Sequence, residues 1–85
     1  MKVNKLMALL AACDPTAEVI LQKDAEGNGY SPLAEADASA VYIPDNSWSG
    51  SVYSTGWTAD EACMDEDEWA KILKRKRCVV LVPVN

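Results

Sequence analysis

Asp24, Glu26 and Glu35, set around Gly27-Asn28-Gly29, give the best match in this chain to a ligand-binding template. A loop that cages Ca²⁺ wants acids or amides at its positions 1, 3 and 5, glycine at 6 and glutamate at 12. The reason is that a hard cation needs several oxygens converging around a sharp turn. Counted from Asp24, Gly29 and Glu35 fall on positions 6 and 12. Three features oppose a cation site. The preceding segment has a strand pattern, Ser31 stands where an aliphatic residue packs, and Pro32 follows at once. The run reads as a Gly-rich connection between two strands, and no metal is expected.

The other chemistries fail on residue type. There is no histidine, which removes Ser-His-Asp and Cys-His nucleophile systems, His-ligated zinc and the usual near-neutral general base. Cys13, Cys63 and Cys78 are odd in number and widely spaced, with no C-x-x-C. They suggest neither a zinc site nor a disulfide framework, and point to a reducing compartment. Gly27-x-Gly29 is too short for a dinucleotide fingerprint and leads into proline, not a helix. Nothing places two carboxylates in an apolar cleft for acid–base work. No catalytic residue, cofactor or metal is expected, and the protein reads as a non-enzyme.

These residues sit in a chain of 85, enough for one small domain over residues 1–85. Hydrophobic residues make up 49% and charged residues 25%, an ordinary globular balance that argues against disorder. So small a domain buries a modest share of its surface, and a homo-oligomer is one way to gain stability. The 13 acidic against 8 basic side chains leave a net charge of −5. That sign disfavours direct nucleic-acid binding. No stretch approaches transmembrane length, and no membrane association is expected.

The elements follow from periodicity. Leu6, Leu9, Leu10 and Cys13 form one apolar stripe at i, i+3, i+4 and i+7. This predicts a helix over 4–13, capped by Asn4 and closed by Asp14-Pro15. Glu18–Lys23 and Ala40–Ile43 read as strands, with a turn over Asp24–Pro32 between them. Ser51–Tyr53 reads as a short edge strand. Asp65 and Glu68 make an Asp-type capping box before Trp69, Ile72 and Leu73. Acids at that helix start and Lys74-Arg75-Lys76-Arg77 at its end suit the helix dipole. Val79–Val82 is apolar on both faces and reads as a central strand. The fold class is α+β: a small sheet of about three to four strands with two packed helices.

The aromatic residues carry the functional expectation. Tyr30, Trp48, Tyr53 and Trp57 fall in turn-like, Ser/Gly-rich segments, where large rings anchor partners. The bland alternative is that they cap a small core. With Asp65, Glu66 and Asp67 at the helix start, they form the expected partner-binding surface. The acidic run with Asp60, Glu61 and Glu68 also allows mimicry of nucleic acid. A small nucleotide ligand is the competing occupant, with Tyr30, Trp48 and Trp57 stacking on bases and Lys23 or Arg75 pairing phosphate.

Met1 to Cys13 has a second reading. Lys2 and Lys5 precede an apolar run ending Leu10-Ala11-Ala12-Cys13, the pattern of a bacterial lipobox. That apolar stretch lies at the short limit for a signal peptide, and the helix accounts for the same residues.

The opening Lys2-Val3-Asn4-Lys5-Leu6, Leu9-Leu10 and Asp14-Pro15-x-Ala17-Glu18-Val19 resembles small proteins encoded by tailed bacteriophages and prophages. Gln22-Lys23-Asp24-Ala25-Glu26-Gly27-Asn28-Gly29-Tyr30-Ser31-Pro32-Leu33 resembles the centre of one such family. Glu68-Trp69 and Arg77-Cys78-Val79-Val80-Leu81-Val82-Pro83-Val84-Asn85 resemble its end. The similarity covers most of the chain and is weakest over 36–60. It implies the cytoplasm of an infected bacterium and transfers no functional residue. The family opening carries polar residues where this chain has Ala11 and Ala12, which makes the lipobox an accident of composition. The expected function is that of a phage accessory protein that binds and modulates a host protein, counter-defence included. A nucleotide-binding module and a phage structural or assembly protein are the alternatives.

Overall fold

The computed structural model describes residues 1–85. The chain is α+β, with two helices and a four-stranded antiparallel sheet. The elements run α1 (Val3–Leu10), β1 (Ile20–Gln22), β2 (Tyr30–Pro44), β3 (Gly50–Ser54), α2 (Glu66–Leu73) and β4 (Cys78–Pro83). β2 pairs with each of the other three strands, and β4 pairs with β2 alone. The expected central place of Val79–Val82 is therefore corrected: β2 is the interior strand and β4 an edge. Side chains of β4 alternate, with Cys78, Val80 and Val82 half-buried and Val79 and Leu81 exposed. Their shared apolar character does not reflect cover on both faces.

β2 is also longer than its sequence suggests. Ala34-Glu35-Ala36-Asp37-Ala38 has weak strand preference. The structure carries it extended within β2, which propensity alone does not report. The turn expected to reach Pro32 ends at Gly29, so Tyr30 and Pro32 lie in the strand.

The chain groups into two compact units. The first comprises Met1–Glu35 and Leu81–Asn85. Here β1 and β2 form an antiparallel hairpin with Leu21 opposite Ser31. Ser31 is its buried polar residue. Its hydroxyl donates to the Pro32 carbonyl (3.1 Å) and accepts from the Asn85 backbone N–H (3.0 Å). α1 stops at Leu10 and is flanked by Lys2, whose side chain makes no cap bond. Asn4, expected as the cap, lies inside the first turn. The expected core stripe is corrected too: Leu6 is half-buried, while Leu9, Leu10 and Cys13 are exposed.

The second unit is Ala36–Val80. Its apolar cluster has Ala59, Ala62 and Trp69 buried, with Tyr53, Met64, Ile72 and Leu73 packed against them. α2 forms where the acids predict. Asp65 Oδ1 accepts from the Glu68 backbone N–H at 2.8 Å, as an N-cap should. At the other end Arg77 donates to the carbonyls of Leu73 (3.0 Å) and Arg75 (2.8 Å), satisfying oxygens the helix leaves free.

Candidate functional site: an aromatic hairpin and its neighbours

The β2–β3 hairpin pairs Val41 with Tyr53, Tyr42 with Val52 and Pro44 with Gly50. Its tip is organised by one side chain. Asn46 Oδ1 accepts from the backbone N–H groups of Trp48 (2.9 Å) and Ser49 (2.8 Å) and from the Ser49 hydroxyl (3.1 Å). The Ser49 carbonyl in turn accepts from Asp45 N–H at 2.9 Å. An amide oxygen close to its own backbone closes such turns well. The turn holds Trp48 in solvent, with 83% of its surface exposed. Gly50 is obligatory at the tip's exit. A Cβ there would lie 2.5 Å from the Ile43 carbonyl oxygen and 2.6 Å from the Tyr42 ring.

Tyr53 and Trp57 occupy a different setting. The Tyr53 ring meets Trp57 edge-on at 6.2 Å and Trp69 at 6.3 Å, favourable aromatic geometry. Trp69 Nε1 donates to the Trp57 carbonyl at 3.1 Å. Tyr53 lies in β3 and is half-buried in the apolar cluster, so it is not a loop residue. Trp57 is 40% exposed, part support and part surface. Tyr30 is exposed and opens β2 in the first unit. Trp48, Tyr53 and Trp57 belong to the second unit, as do Asp65, Glu66 and Asp67. The last two are exposed in the first turn of α2, while Asp65 is its cap.

Two supporting features went unread in the sequence, although each has a signature there. One is Asn46, two residues before Trp48. The other is Thr58-x-x-Glu61, a capping box. Thr58 N–H donates to Glu61 Oε1 (3.0 Å), and Glu61 N–H donates to Thr58 Oγ1 (3.2 Å). The single helical turn it starts ends with Cys63 at φ +58°, left-handed backbone for a residue with a Cβ.

The acidic loop proves to be a strand connection. Asp24 Oδ1 accepts from the backbone N–H groups of Glu26 (2.9 Å) and Asn28 (3.1 Å). The Asn28 bond, foremost among several, holds the Asp24 carboxyl below the usual aspartate range. Asp14 is lowered by the Thr16 backbone N–H and then its hydroxyl, and Asp37 by the Ser39 hydroxyl and then its backbone N–H. Gly27, at φ +77°, supplies the left-handed residue of the turn. No three Cys, Asp or Glu side chains are placed to hold one metal ion. No helix is long and apolar enough to cross a membrane.

No family model, curated protein or solved structure matches this chain.

Proposed function

We propose that this is a non-enzymatic bacteriophage accessory protein that binds and modulates a host protein in the cytoplasm of the infected cell, with Trp48 as its anchor. The observation that carries this reading is the exposure of Trp48 on a turn fastened by three hydrogen bonds to Asn46. Tryptophan is the residue most enriched among interface hot spots. A side chain presented on an already ordered turn loses less entropy on binding than one on a mobile loop. Trp57 and the carboxylates of Glu66 and Asp67 add surface for a partner that is basic and partly apolar.

The test is affinity capture from host lysate with the wild-type chain and with Trp48→Ala, followed by mass spectrometry. A specific host protein should be retained by the wild type and lost with the variant. Its affinity for Trp48→Ala should fall by about 2 kcal/mol, roughly thirtyfold. The thermal midpoint of the variant should barely move, because Trp48 supports nothing in the fold. Equal capture by both chains refutes the anchor. A thermal-shift response to nucleotides, with no host protein retained, would favour the nucleotide reading instead.

A further inference from the structure

We propose that Asn28 is a self-modifying site: the backbone nitrogen of Gly29 attacks the Asn28 side-chain amide, expels ammonia, and leaves aspartate or isoaspartate at position 28. The argument concerns the first unit and is independent of the role given to Trp48.

An asparagine side chain carries a carbonyl carbon, Cγ, that the next backbone nitrogen can reach by closing a five-membered ring. The nitrogen must be open, and the side chain must be free to turn onto it. Glycine suits the first condition, since no Cβ shields its nitrogen and its backbone is the least restricted. Of Asn4, Asn28 and Asn46, Asn28 is the one followed by glycine. It is exposed in the connection between β1 and β2, next to Gly27 at φ +77°. The Gly29 carbonyl accepts from the Lys23 N–H at 2.9 Å, but the Gly29 N–H donates to no protein acceptor. Asn28 Nδ2 makes one long bond, to Glu26 Oε2 at 3.2 Å, and its Oδ1 makes none. Both side chains are exposed, so that bond trades with water at little cost. The bond from the Asn28 N–H to Asp24 fixes backbone and leaves the side chain free. Asn46 is the opposite case. Its Oδ1 takes three bonds from Trp48 and Ser49, and a serine follows it. Asn4 lies in α1, where the next N–H, that of Lys5, donates to the Lys2 carbonyl at 3.1 Å.

The steps balance with water as the co-reactant and involve no oxidation or reduction. Hydroxide takes the Gly29 amide proton, the nitrogen bonds to Asn28 Cγ, and the Cγ–Nδ2 bond breaks to release ammonia. Water then opens the ring. Attack at Cγ restores the ordinary backbone and leaves aspartate. Attack at the main-chain carbonyl leaves isoaspartate, in which the chain runs through the side chain. Either product adds one negative charge to a net charge of −5. The new carboxylate stands where Nδ2 had met Glu26 Oε2, so attraction becomes repulsion. Isoaspartate also lengthens the backbone by one methylene in the turn that pairs Gln22 with Tyr30. The connection between β1 and β2 therefore loosens as the protein ages.

Incubation of the full chain at mildly alkaline pH, followed by intact mass and peptide mapping, reads this directly. The wild type should gain one mass unit on the peptide that contains Asn28, and faster as pH rises. An isoaspartate methyltransferase should label that peptide, because isoaspartate forms through the ring and not by direct hydrolysis. Gly29→Ala is the decisive variant. Gly29 is outside the left-handed region, and a Cβ there would meet Lys23 Cδ at 3.4 Å, on an exposed and movable side chain. The variant should keep the circular dichroism of the wild type and convert at least about tenfold more slowly. The folded wild type should convert within about tenfold of the same chain unfolded in guanidinium, since the turn leaves the site open. A folded chain slower than that limit, a Gly29→Ala variant as fast as wild type, or earlier conversion at Asn46 would each overturn the proposal.

Discussion

Single residues decide how the hairpin presents its ring. Asn46 closes the tip, and Gly50 lets the returning strand pass the Ile43 carbonyl and the Tyr42 ring. The obstruction at Gly50 is partly backbone, so a rotamer change cannot relieve it. Gly50→Ala should cost about 1–3 kcal/mol, the usual range for overpacking. A urea titration followed by tryptophan fluorescence checks this, with a lowered midpoint and little change in slope as the expected result. The same variant should bind a Trp48-dependent partner less well. Gly50 was visible in the sequence within a Ser/Gly-rich segment, with Asn46 just before it. Their particular duties were not, because the close approach at Gly50 depends on the register that pairs Pro44 with it.

At the scale of elements, local signals succeeded where the element carries its own capping. α2 has an Asp65 cap, acids in its first turn and Arg77 closing its end, all within a dozen or so residues of sequence. Strand roles were harder to read, because position in a sheet is a non-local property. β4 looks central by composition but has β2 as its one partner. The Val84 N–H donates to the Pro32 carbonyl. In a regular strand the amides of Val82 and Val80 then point the same way, and those of Val79 and Leu81 point to the open edge. Hydrogen exchange followed by NMR should show slow exchange at Val80 and Val82 and fast exchange at Val79 and Leu81. Uniform protection along Val79–Val82 would restore the central placement.

Across the whole molecule, burial is thin. Ala40, Val41, Ala59, Ala62 and Trp69 are its buried apolar residues, and three of the five are alanine. A chain of this length is expected to be stable by about 4–13 kcal/mol. Trp69→Ala should remove about 3–5 kcal/mol of that, because Tyr53, Met64, Ile72 and Leu73 pack against the cluster that Trp69 anchors. A thermal melt by circular dichroism should show a large drop in midpoint, or no cooperative transition at all. Trp48→Ala in the same assay should melt close to wild type. Two tryptophans of one chain are thereby assigned opposite duties.

That assignment marks what the sequence determined alone. Absent histidine and scattered cysteines are matters of composition, and composition is complete before folding. The α+β class, the cap of α2 and the strand connection at Asp24–Gly29 are set by neighbours along the chain, which sequence periodicity and turn chemistry report. Tertiary structure alone decided which aromatic rings are spent on the core. Tyr53 packs with Trp69 because β3 pairs with β2 and α2 returns to the same cluster, whereas Trp48 remains free because its turn projects past that pairing. The apolar stripe of α1 shows the same division. Its sorting is written at 3.6-residue intervals, but burial needs a surface to meet, and one chain leaves that helix uncovered.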